Sequence, residues 1–190
     1  MKNFRCFGDN IPIYEDYHDN EWGHPVNDDN KLFEMLILEG AQAGLSWITV
    51  LKKREAYRKA FDNFDPKKVA LYDSAKIEEL LANKGIIRNR LKINAAVINA
   101  KLFLGIQEKY GSFNKFIWEY VDFKPIVGYW KKFEDMPLTT PISDKISKDL
   151  KEMGFKFVGS TIIYSFMQAI GMVNDHLAEC FLYDTKKIIG

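Results

Sequence analysis

Residues 143–171, SDKISKDLKEMGFKFVGSTIIYSFMQAIG, contain two helical patterns separated by a short turn. The first begins at a predicted N-cap, Ser143, and ends at Gly154. The turn is FKFVG (155–159), and the second helix, which is largely apolar, starts near Ser160. Apolar residues in both recur with helical spacing, so this stretch predicts a helix-turn-helix unit in a helical fold.

The same periodicity recurs upstream, where Ser46 and Ser74 are predicted N-caps and Gly85 and Gly111 are candidate C-caps. The helical patterns cover 31–43, 46–61, 74–85, 89–110 and 113–121. Residues 122–142 are looser and contain three prolines. No run alternates as a half-buried strand would, so we predict an all-α chain.

The composition is that of a folded, water-soluble chain. Of its 190 residues 47% are hydrophobic, yet no apolar run is long enough to span a membrane. The N-terminus lacks a hydrophobic signal segment, so we expect a cytoplasmic protein without membrane contact. Residues 1–40 carry 3 basic and 9 acidic side chains, whereas 41–160 carry 22 basic and 14 acidic ones. A basic middle can bind phosphates, with a solvated surface of mixed charge as the alternative.

Each of the two cysteines has a histidine nearby in the sequence. His18 follows Cys6 by twelve residues, and His176 precedes Cys180 by four, which would place the latter pair on one face of a helix. Two cysteines and two histidines can form a structural zinc site. Two alternatives remain: a disulfide between the chain ends, which is uncommon in the cytosol, and two ordinary buried thiols. His24, which precedes a proline, is assigned to a structural or surface role.

Four longer strings carry a resemblance that covers about residues 5–183. They are YHDNEWG (17–23), LFEMLILEGAQAGLSWITVLKKRE (32–55), GIIRNRLKI (85–93) and GFKFVGSTIIYSFMQAIGMVNDH (154–176). Together they resemble the DNA-3-methyladenine glycosylase I family of the helix-hairpin-helix glycosylase superfamily. The resemblance implies the all-α helix-hairpin-helix glycosylase fold.

It also implies a domain arrangement and a metal. A helical region, 31–159, would end in a DNA-binding hairpin at about 154–159. One structural zinc ion per chain would tie together the terminal region, 1–30 and 160–190, and complete a single glycosylase unit, 1–190. The positions that match the family's zinc ligands are Cys6, His18, His176 and Cys180.

The activity that the resemblance implies is base excision. Such an enzyme flips an alkylated base out of double-stranded DNA and hydrolytically releases free 3-methyladenine, with no lyase step. We expect it to act as a monomer. The alternative is a non-catalytic, zinc-stapled helix-hairpin-helix module that only binds DNA. The presence of Tyr17, Glu39 and Trp47, which match the family's base-binding positions, favours the enzyme.

These three residues are therefore the predicted catalytic and substrate-binding residues. Glu39 is also unusual without the resemblance, because it follows Leu36 and Leu32 by three and seven residues and so points along the apolar face of its helix. Glu34 projects to the opposite side. An inward carboxylate is costly unless it is paired or used, so a buried cap or ion pair is the alternative.

The aromatic residues admit two interpretations. Phe7 follows the first predicted zinc ligand, where the family often has a pocket aromatic, so it is a further candidate for substrate binding. The spacing from CFGDN to YHDNEWG is one residue shorter than usual. Trp22 is assigned to the core. Tyr17 and Trp47 can equally be core residues, since aromatic side chains dominate cores.

The hairpin and a cationic run supply the predicted DNA contacts. The hairpin contacts are Phe157, Val158, Gly159 and Ser160. Gly159 would let backbone N–H groups approach a phosphate, and the next helix N-terminus adds positive potential. FKFVG departs from the superfamily's L-P-G-x-G pattern, and a plain turn is the alternative. The cationic run, for which a solvated helix start is the alternative, contains Lys84, Arg88, Arg90 and Lys92, with Arg88 and Arg90 as the predicted contacts.

One departure from the superfamily bears on the substrates. Its catalytic aspartate is the second residue of V-D-x-H, and here the string is VNDH. Asn174 takes that position, with Asp175 about 100° further round a predicted helix. An amide cannot stabilise an oxocarbenium sugar as a carboxylate can. We therefore expect lesions that are already good leaving groups, such as N3-methylated purines, whose base departs neutral.

Overall fold

The computed structural model describes residues 4–183, and the chain there is mostly helical. Its helices are α1 (Pro12–Asn20), α2 (Asp29–Gln42), α3 (Trp47–Leu51), α4 (Arg54–Ala60), α5 (Pro66–Val69), α6 (Ser74–Ala82), α7 (Arg90–Tyr110), α8 (Phe113–Trp118), α9 (Pro141–Glu152) and α10 (Ser160–Ala169). Within these residues no helix is both long and apolar enough to cross a bilayer. The all-α prediction is confirmed. The ends of the predicted terminal region, 1–3 and 184–190, lie outside the described residues.

The segment after α10 differs from the prediction. Val173–Asn174 (β2) is extended and pairs in parallel with Ile126–Val127 (β1). Its backbone hydrogen bonds go to the neighbouring segment: the Asn174 carbonyl, for example, accepts from the Gly128 N–H at 2.9 Å. A helix would use such groups for bonds along its own axis. The prediction that His176 and Cys180 share a helix face is therefore wrong, because this segment pairs with a distant one.

Two helices begin earlier than predicted because a better cap precedes the predicted one. Asp73, not Ser74, caps α6, and its carboxylate accepts from the Lys76 N–H at 2.9 Å. Thr140 caps α9, while Ser143 completes a capping box by accepting from the Thr140 N–H at 2.8 Å. In both cases the serine lies inside the helix that it was predicted to cap.

The predicted helix 46–61 is two helices, α3 and α4, separated at Lys52–Lys53. Lys53 Nζ donates to the carbonyls of Lys84 (3.1 Å) and Gly85 (3.4 Å), which ties this break to the turn after α6. Gly85 lies in that turn and is not the C-cap, because α6 already ends at Ala82. The break redirects the chain so that α3 and α4 pack on different parts of the core.

Helix α2 lies at the centre of the molecule and positions the candidate site. Its residues 32–41 are all buried, and α3, α7, α8 and α10 pack around it. Because the helix is packed on all sides, both of its glutamate side chains are buried. Glu34 faces α4, where Arg58 donates to it at 2.8 Å. Glu39 points away from Arg58, as predicted, toward residues of α1, α3 and α10.

Candidate active site and metal centre

The structure has a cavity of about 400 Å³ beside Glu39. Its walls come from α1, the end of α2, the start of α3 and α10, which are far apart in the sequence. The cavity is lined by all four predicted substrate-binding residues, Phe7, Tyr17, Glu39 and Trp47. The fold therefore brings the predicted residues together around a space that suits a small ligand.

Sequence reasoning missed several residues that line this cavity. Trp22, which was assigned to the core, is buried and also contributes to the cavity wall. Tyr14 lies one turn before Tyr17 on α1, and Ser165 and Gln168 form a similar pair on α10. Residues three apart on a helix face the same way. The position of Tyr17 could thus have identified Tyr14, but nothing in the sequence pointed to α10.

Glu39 lacks the partner that a buried carboxyl group usually has. Its side chain is 3% exposed, and within residues 4–183 no group hydrogen-bonds its Oε2 atom. Burial raises the pKa of Glu39 to about 8, because the carboxylate would lose its hydration. At neutral pH the group is therefore mainly a neutral acid, with an O–H donor and a carbonyl acceptor. The ion pair that was the alternative for Glu39 belongs to Glu34 instead.

Aromatic rings surround this acid. The Tyr17 and Trp47 ring centroids are 5.3 Å apart, and those of Phe7 and Trp22 are 5.0 Å apart in an edge arrangement. Burial and the nearby Glu39 raise the pKa of Tyr17 well above its usual value, so the phenol stays protonated. Trp47 Nε1 is buried and unpaired among the described residues. Rings with unsatisfied polar atoms suit a flat heteroaromatic ligand.

Asp175 is occupied by neighbouring side chains. It accepts hydrogen bonds from Trp130 Nε1 and the Tyr164 hydroxyl, both at 2.6 Å, and from the Gln168 amide at 2.7 Å. Asn174 and Asp175 are absent from the cavity wall. The predicted displacement around a helix does not apply, because β2 occupies this position. A carboxylate from the VNDH string is therefore not presented to the cavity.

Three predicted metal ligands converge next to Phe7. Cys6 Sγ, His18 Nε2 and Cys180 Sγ all lie within 4.8 Å of one another, and neither thiol is in a disulfide. The ring of His176, the fourth predicted ligand, is centred 5.0 Å from that of His18. Its Nε2 is buried and has no partner among the described residues. An orphaned nitrogen beside this cluster fits a fourth metal ligand.

A hydrogen bond at Nδ1 fixes the tautomer of both histidines. His18 Nδ1 lies 2.8 Å from Asp19 Oδ1, and His176 Nδ1 lies 2.7 Å from Asn174 Oδ1. Because both oxygens accept, Nδ1 carries the proton and Nε2 presents its lone pair. Asp19 is itself held by Arg5 at 2.8 Å. Together with the two cysteines, this arrangement fits the donor set of a structural zinc site.

The glycine of the hairpin between α9 and α10 has an ordinary backbone conformation. Gly159 has an ordinary φ of −61°, and nothing lies within 4 Å of where a Cβ would stand. The unusual backbone belongs to Phe157, with φ of +55°. Phe157 takes the third place of the L-P-G-x-G pattern, where a glycine would adopt this conformation readily. That Gly159 lets backbone N–H groups approach a phosphate stays a prediction.

Residues 157–160 of the hairpin present backbone donors. The N–H groups of residues 157–160 make no hydrogen bond within the described part of the chain. The Val158 side chain is buried, and its carbonyl accepts from the Ser147 hydroxyl at 2.7 Å. The Ser160 hydroxyl is bonded to Ser143 and Asp144. Any anion at this hairpin would thus meet consecutive free N–H groups.

The predicted cationic run does not form one patch. Lys92 Nζ donates to the carbonyls of Ala41 (2.8 Å) and Ala43 (2.6 Å) at the end of α2. Lys92 therefore stabilises a helix end. Arg90 is exposed but forms a two-pronged ion pair with Glu78 (2.6 and 3.0 Å). Arg88 is exposed and remains a candidate DNA contact.

A second cavity of about 300 Å³ adjoins the first and shares Glu39, Gln42 and Ser165 with it. Leu45, in the turn between α2 and α3, lines this second cavity and is 41% exposed. Thr161, at the start of α10, lines it as well. An apolar side chain thus lies between the aromatic cavity and the hairpin. Sequence alone could not separate Leu45 from any other surface leucine.

Comparison with known proteins agrees with this geometry. A family model described as methyladenine glycosylase matches residues 8–183. The chain is 52% identical over 176 residues to DNA-3-methyladenine glycosylase 1 of Escherichia coli (strain K12), covering 93% of this chain and 94% of that protein.

Solved structures are equally similar. A crystal structure of 3-methyladenine DNA glycosylase I superposes with a TM-score of 0.91 at 52% identity, over 94% of this chain and 99% of that one. A structure on 3-methyladenine recognition by the enzyme from Staphylococcus aureus gives a TM-score of 0.90 at 42% identity, over 93% and 94%. The chain therefore belongs to the methyladenine glycosylase family.

Proposed function

We propose that this protein is a base-excision repair glycosylase that hydrolyses the N-glycosyl bond of 3-methyladenine in alkylated double-stranded DNA. The observation that carries the proposal is Glu39, an unpaired buried acid in an aromatic cavity. A protein that only binds DNA has no use for such a cavity. We propose that it acts as a monomer in the cytoplasm.

The polar groups of the cavity suit the edge of an adenine. That edge has an amino donor next to a ring-nitrogen acceptor, and a neutral Glu39 offers the complementary acceptor and donor. N3-methylation makes the base cationic while it is still joined to the sugar. The positive charge favours the ionised form of Glu39 and stacks favourably on the rings of Tyr17 and Trp47.

The cationic base also explains why no carboxylate from the VNDH string is needed. When the glycosyl bond breaks, the electron pair of that bond neutralises the base, so no proton has to be supplied to the leaving group. The sugar is left as an oxocarbenium ion, to which water adds at C1′ with release of one proton to solvent. Asp175 can therefore serve as an acceptor for Trp130, Tyr164 and Gln168. The chain contributes recognition, enclosure and extraction of the base.

The substrate range should follow from the enzyme's reliance on a base that is already a good leaving group. With DNA that carries several lesions, we expect release of 3-methyladenine and some 3-methylguanine. Hypoxanthine, ethenoadenine and uracil should stay in place, because each is uncharged while joined to the sugar and would have to depart as an anion unless it were protonated. 7-Methylguanine is cationic too, but its methyl group lies on the opposite edge, so the cavity should reject it. Mass spectrometry of the released bases measures this. Hypoxanthine release at a rate near that of 3-methyladenine would contradict the proposed chemistry.

The proposal places the DNA backbone at the hairpin. Free N–H groups at 157–160 would hold phosphates, and Arg88 is a further candidate contact. The exposed Leu45 lies where it can fill the gap that a flipped nucleotide leaves in the duplex. Flipping costs a few kcal/mol, and less for a poorly stacked damaged base.

Two substitutions of Gly159 test the hairpin. Gly159→Pro should weaken binding to undamaged duplex DNA about tenfold, because proline removes one N–H donor to a charged phosphate while its φ fits the observed −61°. Gly159→Ala is the matched control. It keeps the N–H and has room for its Cβ, so its affinity should stay within about twofold of the original. Fluorescence anisotropy at constant salt measures both, and equal binding by the two variants would exclude this contact.

The proposal also includes a structural zinc ion. Cys6, His18, His176 and Cys180 would hold it, since three of their ligand atoms already converge and the fourth is an orphaned nitrogen. With four protein ligands no position remains for a catalytic water. The metal would join the segment before α1 to the segment after β2. Phe7 follows Cys6 directly, so the same link holds one wall of the base cavity in place.

A further inference from the structure

Asn99 lies in the middle of α7, is 3% exposed, and makes an unusual pair of hydrogen bonds to the hairpin. Its Oδ1 accepts from the Lys156 N–H at 2.8 Å, and its Nδ2 donates to the Lys156 carbonyl at 2.9 Å. One buried amide therefore fixes both polar groups of a single hairpin residue. The two bonds set the orientation of the peptide units on either side of Lys156.

The residue held in place by this contact is Phe157. Its φ of +55° is unfavourable for a side chain with a Cβ, and such conformations persist only where surrounding contacts impose them. On the other side Phe157 packs against Gly40 of α2, where an added Cβ would come within 3.2 Å of the Phe157 Cβ. Gly40 directly follows Glu39. Asn99 on one side and Gly40 on the other thus confine the hairpin.

The consequence concerns the donors that follow. Among the N–H groups of residues 157–160, which have no partner in the described residues, that of Phe157 belongs to a peptide that Asn99 fixes and the other three follow it directly. If Phe157 relaxed to negative φ, these groups would point elsewhere, and restoring them on binding would reduce DNA affinity. We propose that Asn99 is a positioning residue for DNA binding, which holds the hairpin in its phosphate-binding conformation before DNA arrives. This inference rests on the proposed function.

The first test is Asn99→Ala. Affinity for undamaged duplex DNA should fall about tenfold, and KM for damaged DNA should rise equally, because two bonds that pre-organise the hairpin are lost. Single-turnover release at saturating enzyme and binding of free 3-methyladenine should stay within about twofold, since the cavity is untouched. Phe103→Leu, a buried change elsewhere on α7, is the control for lost stability alone. An equal loss of DNA affinity in this control would overturn the inference.

The second test asks whether Asn99 acts by imposing the positive φ of Phe157 or only by stabilising the fold. In the Asn99→Ala background, Phe157→Gly should bind DNA about fivefold more tightly than Phe157→Ala, because glycine reaches positive φ freely and alanine does not. With Asn99 present the two should differ by less than about twofold, since the amide imposes the conformation on both. A glycine advantage of the same size in both backgrounds, or in neither, would overturn the inference.

Failure of the inference can be told apart from failure of the proposed function. If Gly159→Pro weakens DNA binding while Asn99→Ala does not, the hairpin binds phosphate and only the role of Asn99 is wrong. If neither variant changes DNA binding, the hairpin contact and the role of Asn99 fail together. If the unaltered protein releases no 3-methyladenine from alkylated DNA, the proposed function itself is wrong.

Discussion

Replacing Glu39 with glutamine should weaken binding of free 3-methyladenine about tenfold or more, and leave the affinity for undamaged duplex DNA within about twofold. The amide keeps the shape of the side chain and one donor beside one acceptor, but it cannot carry a negative charge. In an enclosed cavity a charge-assisted hydrogen bond is roughly twice as strong as a neutral one. The substitution should weaken binding of unmethylated adenine less than binding of 3-methyladenine, because adenine is less readily protonated. Titration calorimetry with both bases measures the difference.

The same substitution should stabilise the empty protein, and the gain should grow with pH. The pKa of Glu39 is about 8 when folded, against an ordinary value of 4.5. Between these values the folded state binds the proton more tightly, so the free energy of unfolding falls as the pH rises through this window. Glutamine removes this loss, which is on the order of 4 kcal/mol by pH 8. Melting curves at pH 5 and pH 8 test it. Lower stability at both pH values with unchanged base binding would mean that Glu39 is only structural.

These two outcomes depend on a feature that the sequence contained. Glu39 falls at the helical spacing of Leu32 and Leu36, so its inward direction followed from periodicity alone. The pattern could not say that Glu34, on the opposite side, is buried as well. Its burial is compensated by Arg58 of α4, which donates to it at 2.8 Å from a segment far along the chain.

Contacts between distant segments account for most of what the sequence left open. The pairing of β1 with β2 replaces the predicted helix around His176, because sheet partners far apart in the chain leave no periodic signal. Phe157 adopts positive φ although its residue type argues against it, since Asn99 and Gly40 confine it from elsewhere in the chain. Local signals therefore predicted the long helices, while tertiary contacts decided the hairpin and the segment after α10.

Cys180→Ser should lower the free energy of unfolding by several kcal/mol, because metal binding energy is folding energy at such a site. We expect about one zinc ion per chain in freshly purified protein, and a similar loss of stability when a chelator removes it. His24→Gln is the control and should retain full zinc: among the described residues the His176 ring packs 5.0 Å from that of His18, whereas His24 is not among the converging ligands and its ring packs on none of them. Metal analysis and melting curves measure both. Less than about half an equivalent of zinc in unchelated protein would contradict the proposal.

Asn174→Ala extends the test to the residue that stands in place of the superfamily's aspartate. Its side chain holds His176 Nδ1 at 2.7 Å, so its loss should weaken zinc binding about tenfold or more, as is typical when the partner of a metal-bound histidine is removed. With zinc saturating, the rate of 3-methyladenine release should fall by at most about tenfold, roughly 1.4 kcal/mol of barrier. A thousandfold loss of rate with full zinc and an intact fold would place Asn174 in the chemistry. The smaller effect would show that Asn174 serves to orient a proposed metal ligand.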